Sequence, residues 1–253
     1  MDTATLAAWL PQGLGLAAYL GMGAMVFAGA CLQGVGGLGF AMFCAPMAAL
    51  WFPELVPGPL LTLGCPLALM ALLREWRAIE WPTAGLALAG RMLGTAGAAL
   101  CLAWLSVTAL SLMFAVLILA GVALSVSGWQ VRASARNTTL AGVASGLMGT
   151  ITSAGAPPFA IAMQHMQPAA LRATMGVIFF AGSAVSLVAL ALVGRMGPAH
   201  LALAMLLLPW MLAGFFASGL LRGRLGKRSL RPLLLGMAAF GAVGVLAQVL
   251  ARN

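Results

Sequence analysis

Two glycine-rich segments in matching positions of the chain contain residue types suited to binding a small anion. They cover residues 34–39 and 145–155, and Gly39 and Gly155 are 116 positions apart. Glycine lets backbone N–H groups approach a ligand without a Cβ in the way, and N–H groups at the start of a helix attract negative charge. The candidate binding residues are Gln33, Gly36, Gly37, Gly39, Thr150, Thr152, Ser153 and Gly155.

These segments also have a plainer explanation. The glycines could serve only close packing between helices, and Gln33 could satisfy backbone groups that a helix break sets free. Packing alone explains the pattern less well, because a glycine-rich break occurs in both halves, each time beside a short apolar segment. Interrupted apolar segments in corresponding positions are typical of a transporter binding site.

Arg91 is the other singular residue, because it lies inside a helix predicted over 82–105. It is about 14 Å along that helix from its start, and no acid lies three or four residues away to pair with it. An arginine within a membrane segment indicates a functional site, so Arg91 is a candidate for substrate binding. The alternatives are snorkelling to the membrane surface or a bond to backbone carbonyls.

Two further residues are candidates for a gate or for coupling. Arg172 follows the second short segment and could belong to an inner gate, although a charge there also suits topology alone. His165 could carry protons, because histidine gains and loses a proton near neutral pH. Its position near a segment end fits a simple interfacial residue as well.

The composition identifies the class of protein. Only 7% of the 253 residues are charged and 63% are hydrophobic, whereas a soluble domain has about 25% charged residues. The net charge of +9 comes mostly from basic residues in short loops, where membrane topology places them, so nucleic-acid binding is not predicted. No P-loop motif, metal-ligand cluster or pair of intramembrane acids occurs, so we predict no cofactor and no enzyme activity.

The apolar segments predict an all-α integral membrane protein in one transmembrane domain over 1–253. Some segments are too short to cross a ~30 Å core as straight helices, so we expect roughly eight full spans plus short or re-entrant half-helices. Each half contributes an odd number of segments, which makes repeat one (about 13–130) and repeat two (about 138–250) inverted relative to each other. The predicted segments are 13–33, 38–52, 58–73, 82–105, 107–129, 138–151, 156–167, 173–194, 199–221 and 231–250.

The distribution of Arg and Lys predicts the orientation in the membrane. Alternating crossings place ten basic residues, in loops near 74–77, 132–136, 172 and 222–231, on one side. The other side receives only Arg195 and Arg252. Because cytoplasmic loops carry the excess of basic residues, both termini are predicted to be extracytoplasmic in a multi-pass protein of a bacterial-type inner membrane.

At the glycine-rich segments the chain resembles the TauE/SafE sulfite exporter family. The resemblance extends over nearly the whole length and is carried by residues 34–40 with Pro46, by 145–149, by 155–158, and by Arg172 with the two residues after it. Ala156 departs from the glycine that many members have there. The resemblance implies secondary transport, without ATP, of small sulfur-containing anions: sulfite, thiosulfate or organosulfonates such as sulfoacetate.

Two other classes of function are compatible with this composition. A membrane thiol-redox carrier needs two thiols that meet, but the cysteines all lie in the first half and form no C-x-x-C pair. A membrane accessory protein that transports nothing is the other alternative. The predicted partners are the anion and membrane lipid, and a homodimer is possible.

The orientation can be tested by labelling a single cysteine in the most basic loop. In a cysteine-free background we expect Gly226→Cys to react with an impermeant thiol reagent only after the cells are permeabilised, because the positive-inside rule places this loop in the cytoplasm. Reaction in intact cells would invert the whole predicted topology.

Overall fold

Helices connected by short links make up the protein in the computed structural model, which describes residues 14–36, 39–221 and 227–251. The described residues contain no β-strand, and the prediction of an all-α membrane protein with about ten segments is confirmed. The α-helices are α1 (Leu16–Gly36), α2 (Phe40–Trp51), α3 (Gly58–Arg74), α4 (Trp81–Trp104), α5 (Val107–Val126), α6 (Ala135–Thr152), α7 (Ala156–Ala162), α8 (Pro168–Leu192), α9 (Pro198–Leu221) and α10 (Lys227–Ala251).

Each half of the protein contains one helix that is much shorter than the others, beside a glycine-rich break. Within the described residues, five helices are long and apolar enough to cross a membrane: α1, α4, α5, α8 and α9. Helix α2 has 12 residues and α7 has 7. At 1.5 Å per residue they extend about 18 Å and about 10 Å, well short of the membrane core.

Helix α6 starts earlier than predicted, because its first turn is polar and the prediction relied on apolar residues. It has 18 residues and begins at Ala135, three residues before the predicted segment. The Oγ of Ser134 accepts a hydrogen bond of 3.2 Å from the N–H of Asn137, which caps the start of the helix. A search for apolar residues excludes Arg136 and Asn137, so hydropathy alone placed the start too late.

A sharp turn at Ser153 separates α6 from α7. Ser153 has a left-handed backbone, with φ of 64°, and its N–H donates to the carbonyl of Gly149 at 2.9 Å. The Oγ1 of Thr152 accepts from the N–H of Ala154 at 3.1 Å and donates to the carbonyl of Met148 at 2.7 Å. Prolines in the first turn of α7 need no N–H partner there. The hydrogen bonds of Ser153 and Ala154 thus satisfy two backbone N–H groups at the point where the chain turns.

The helices pair in a pattern that is symmetric between the two halves. Helix α4 packs on α6, and α9 packs on α1. The third helices of the two halves, α3 and α8, pack on each other, as do the fifth helices, α5 and α10. If the two halves are exchanged, the contact between α4 and α6 becomes the contact between α9 and α1. The contacts between α3 and α8 and between α5 and α10 stay the same. The organisation into two repeats stays a prediction, and this pairing supports it.

Glycines bring the backbones of α4 and α6 into direct contact. Gly90 and Gly94 on α4 face Gly142 and Gly146 on α6, and a Cβ at any of the four would overlap a backbone oxygen of the other helix. Small residues allow such close approach between membrane helices. Because Arg91 lies within this stretch of α4, the same contact places its side chain beside α6.

Replacing one of these glycines should therefore destabilise the protein. In Gly94→Ala the new Cβ would overlap the carbonyl of Val143, and we expect a cost of about 1–3 kcal/mol from overpacking. The matched control is Gly85→Ala, also on α4, where a Cβ meets no atom within 4 Å. Thermal unfolding in detergent should show a lower midpoint for Gly94→Ala alone. Equal midpoints would show that the contact is soft.

Candidate functional site

A small cavity lies where the two helix breaks meet. Its volume is about 60 Å³, which is room for a few water molecules or one small anion. The first break contributes Gln33 and Gly39 to its lining, and the second contributes Ser153 and Gly155. Arg91 also lines it, from α4. The two breaks and the intramembrane arginine, which the sequence presents far apart, therefore surround one space.

The Arg91 side chain is buried at the second break and does not reach the membrane surface. It is 2% exposed. Its Nη1 donates to the Oγ of Ser145 at 2.9 Å, and that Oγ donates to the carbonyl of Gly155 at 2.6 Å. The guanidinium carbon lies 5.3 Å from the ring centroid of Phe179. Ser145 thus connects the arginine to the backbone of the break, and snorkelling does not describe this residue.

No carboxylate of the described residues compensates the charge of Arg91. Glu54 and Glu80 are exposed near helix ends, and Glu75 is paired with Arg172. The Nε of Arg91 is buried and has no hydrogen-bond partner. Burying an unpaired ion costs several kcal/mol, so the cavity is electrostatically prepared for a negatively charged ligand.

Three glycines leave the space that the guanidinium occupies. A Cβ at Gly182 on α8 would overlap Cδ and Nε of Arg91. A Cβ at Gly149 would lie 3.1 Å from Nη2, and one at Gly155 would lie 3.2 Å from Nη1. Position 182 thus has to be glycine for the Arg91 side chain to keep this position. At Gly149 and Gly155 the space beside the guanidinium is too tight for an unstrained Cβ.

The Gln33 side chain satisfies backbone groups at the start of α2. Its Oε1 accepts from the N–H of Gly39 at 2.9 Å and from that of Phe40 at 3.2 Å. Ala41 and Met42 follow in the first turn and also line the cavity. Their N–H groups lie in the first turn of α2, where the helix itself supplies no acceptor.

Of the three hydroxyl side chains predicted to bind the ligand, one lines the cavity and two do not. Ser153 lines the cavity, and its Oγ donates to the carbonyl of Pro57 at 3.0 Å. The Oγ1 of Thr150 lies instead between α4 and α8, 3.2 Å from the Oγ1 of Thr95 and 2.8 Å from the Oγ of Ser186. Thr150 and Thr152, whose hydroxyl caps the break, are not among the lining residues.

The predicted glycines of the first break are only partly described. Gly36 is the last residue of α1, and Gly37 lies outside the described residues. Gly39 precedes α2 and lines the cavity.

Arg172 and His165 are not among the residues that line the cavity: Arg172 lies in the second turn of α8, and His165 lies in the connection before that helix. The Nε of Arg172 donates to Oε2 of Glu75 at 2.9 Å, and its Nη2 donates to Oε1. This bidentate pair joins the start of α8 to the connection between α3 and α4. The Nε2 of His165 lies 3.1 Å from the carbonyl oxygen of Val131. A gating or coupling role for either residue stays a prediction.

A wider cavity of about 480 Å³ opens at the opposite end of α8. We call it the vestibule, and Arg195 and His200 are among the residues that line it. A buried apolar cluster separates it from the small cavity: Leu61 lines the small cavity, while Leu102 and Ile151 line the vestibule. Apolar side chains thus form part of the wall between the two spaces, beside the bond from Ser153 to the carbonyl of Pro57, which also lines the vestibule.

The comparison with family models agrees with the resemblance seen in the sequence. The model described as Sulfite exporter TauE/SafE matches residues 21–245. The chain belongs to this family. A comparison with curated proteins and one with solved structures found no match. The match includes both helix breaks, α4 and the vestibule, and this TauE/SafE protein is a multi-pass membrane protein of a transport family.

The structure adds residues of this TauE/SafE protein that sequence reasoning missed. Ser145 holds the guanidinium, and Gly182 and Ser183 border the arginine and its cavity from α8. Ser145 belongs to the second glycine-rich segment, so its position was a usable signal. Gly182 is one of 32 glycines, and nothing in its neighbourhood along the chain relates it to a residue 91 positions earlier.

Gly182→Ala should damage the site without unfolding the protein. Its Cβ would collide with the flexible end of Arg91 and not with backbone, so the guanidinium must move while the helices stay in place. We expect the stabilisation of the TauE/SafE protein by sulfite to require at least about tenfold more ligand, measured as the ligand-induced rise in unfolding midpoint. The control is Gly219→Ala, where a Cβ meets no atom within 4 Å. Parent affinity in Gly182→Ala would show that the arginine position is unimportant.

Proposed function

We propose that this TauE/SafE protein is a secondary transporter of small sulfur-containing anions, namely sulfite, thiosulfate or organosulfonates such as sulfoacetate, in a bacterial-type inner membrane. One observation carries the proposal. A buried arginine without a carboxylate partner lines a cavity between two helix breaks. The family match to sulfite exporters supports the same class of substrate.

The anion binds to the guanidinium of Arg91 in this proposal. The Nε–H has no partner in the protein, and arginine presents its N–H groups in a planar fork that matches the oxygens of an oxyanion. Ala41 and Met42 also line the cavity, and their N–H groups offer further donors from the first turn of α2. Ser145 is a positioning residue, because it holds the Nη1 end of the guanidinium.

Transport requires the apolar barrier at Leu61, Leu102 and Ile151 to open and the other end to close. The symmetric helix pairing supports two inverted repeats, 13–130 and 138–250, whose exchange of conformation would alternate access to the site. In the orientation given by the basic residues, the vestibule faces outward and both termini are extracytoplasmic. The Arg172–Glu75 pair then closes the cytoplasmic end as an inner gate, and His165 lies on the same side.

The competing thiol-redox function finds no support in the arrangement of the cysteines. All four are free thiols. The Sγ of Cys44 donates to the carbonyl of Met25, and that of Cys65 donates to the carbonyl of Phe180. A carrier of electrons between thiols needs a pair within bonding distance.

Arg91 substitutions test the proposal in liposomes that contain the purified protein. We expect Arg91→Ala to lower the uptake of radiolabelled sulfite at least about tenfold, because a hydrogen bond to a charged group contributes ~1.5–3 kcal/mol. Arg91→Lys keeps the charge but loses the fork, so partial uptake should remain. Arg136→Ala, which removes an exposed arginine, is the control. Normal uptake by Arg91→Ala would refute the proposed function, and no uptake by the parent would favour an accessory protein.

A further inference from the structure

The small cavity contains one charged side chain among the residues that the structure describes. The other polar side chains that line it are Gln33, Ser153 and Ser183, which are all neutral. No second arginine, lysine or histidine lines it, and the nearest basic groups of the vestibule lie beyond the apolar barrier. The side chains therefore give the cavity a charge of +1.

The helix starts at the breaks add less than a full charge each. Phe40 and Ala41 from the start of α2 and Ala156 from the start of α7 line the cavity, and the start of a helix carries roughly half an elementary charge. Gln33 also occupies two of the donors at the start of α2 with its own oxygen.

The remaining wall of the cavity is apolar and disfavours any charge that Arg91 does not neutralise. Phe40, Leu60, Leu67 and Phe179 belong to it. An aromatic ring presents its negative face to a cation, so Phe179 shares the arginine and offers nothing to an anion. A dianion would leave one negative charge unpaired in a low-dielectric space, and it would also give up more hydration on entry.

We propose that the site takes singly charged anions in preference to doubly charged ones of the same shape, so that sulfite crosses as hydrogensulfite. The inference rests on the proposed function and narrows its substrates. Simple sulfonates with one charge fit the site, whereas sulfate, thiosulfate and sulfoacetate carry one charge too many. The volume of about 60 Å³ further favours anions of a few heavy atoms.

Competition between two anions of equal shape tests this charge selectivity. Methanesulfonate and sulfate are both tetrahedral and similar in size, but methanesulfonate carries a single charge. We expect methanesulfonate to inhibit uptake of radiolabelled sulfite into liposomes at least about tenfold more strongly than sulfate does, since a factor of ten corresponds to a modest difference in binding. Equal inhibition by the two anions would overturn the inference.

A second positive charge in the cavity should relax the preference. Gly64 lines the cavity, and a Cβ there meets no atom within 4 Å, so a side chain can start at this position without displacing the backbone. In Gly64→Lys the ratio of the two inhibition constants should fall about tenfold or more. Gly64→Gln, which has similar reach and no charge, should keep the parent ratio. Loss of the preference in Gly64→Gln would assign it to shape and overturn the inference.

The pH dependence of the parent protein gives an answer that requires no variant. Sulfite uptake at constant total sulfite should fall from mildly acid to mildly alkaline pH as hydrogensulfite loses its proton, while inhibition by methanesulfonate, which does not titrate there, stays constant.

If sulfite uptake depends on Arg91 but sulfate competes equally well, the charge selectivity is wrong and the proposed function stands. If uptake ignores Arg91 altogether, both are wrong.

Discussion

The guanidinium of Arg91 is buried and has no carboxylate partner among the described residues, and this constrains the backbone and side chains around it. Its charge costs several kcal/mol to bury, so the surrounding backbone has to supply space and hydrogen bonds at the same time. Gly149, Gly155 and Gly182 leave the space, and Ser145 provides the bond that holds one end of the group. The close packing of α4 on α6 is part of this arrangement, because Arg91 projects from the stretch of α4 whose glycines contact α6.

The two halves of the protein are alike in helix pairing and unlike in charge. At the 116-residue offset that relates the two breaks, Arg91 corresponds to Leu207, which is fully buried in the apolar core. The two breaks also differ in their hydrogen bonds. Gln33 caps the first break. At the second, the carbonyl of Gly155 accepts a bond from Ser145, which in turn holds Arg91. Symmetric helix pairing thus surrounds a cavity with one cationic side chain, and this asymmetry is the basis of the proposed charge selectivity.

Sequence patterns predicted the helices well and the site only in part, for physical reasons. Hydropathy identifies apolar segments directly, and it failed at Ala135 only because α6 begins with a polar, capped turn. Arg91 was identifiable as a lone charge in an apolar run. The direction of the Thr150 hydroxyl depends on packing against α4 and α8, and the role of Gly182 depends on a side chain from another helix. Neither can be read from local spacing.

The barrier between the cavity and the vestibule contains no charge, and this affects how an anion can leave. Leu61, Leu102 and Ile151 present only hydrocarbon, so an anion cannot be passed across them from one cation to the next. Arg195 lies on the far side, where its Nε and Nη2 both donate to the carbonyl of Leu102, at 3.2 and 3.1 Å. The residue that blocks the path therefore also holds the cation beyond it. A shift of the end of α4 that carries the Leu102 side chain away also moves this carbonyl, and the bonds of Arg195 then have to follow or break. In the proposed transport cycle, such a shift would open the barrier and free a positive charge in the vestibule in the same step.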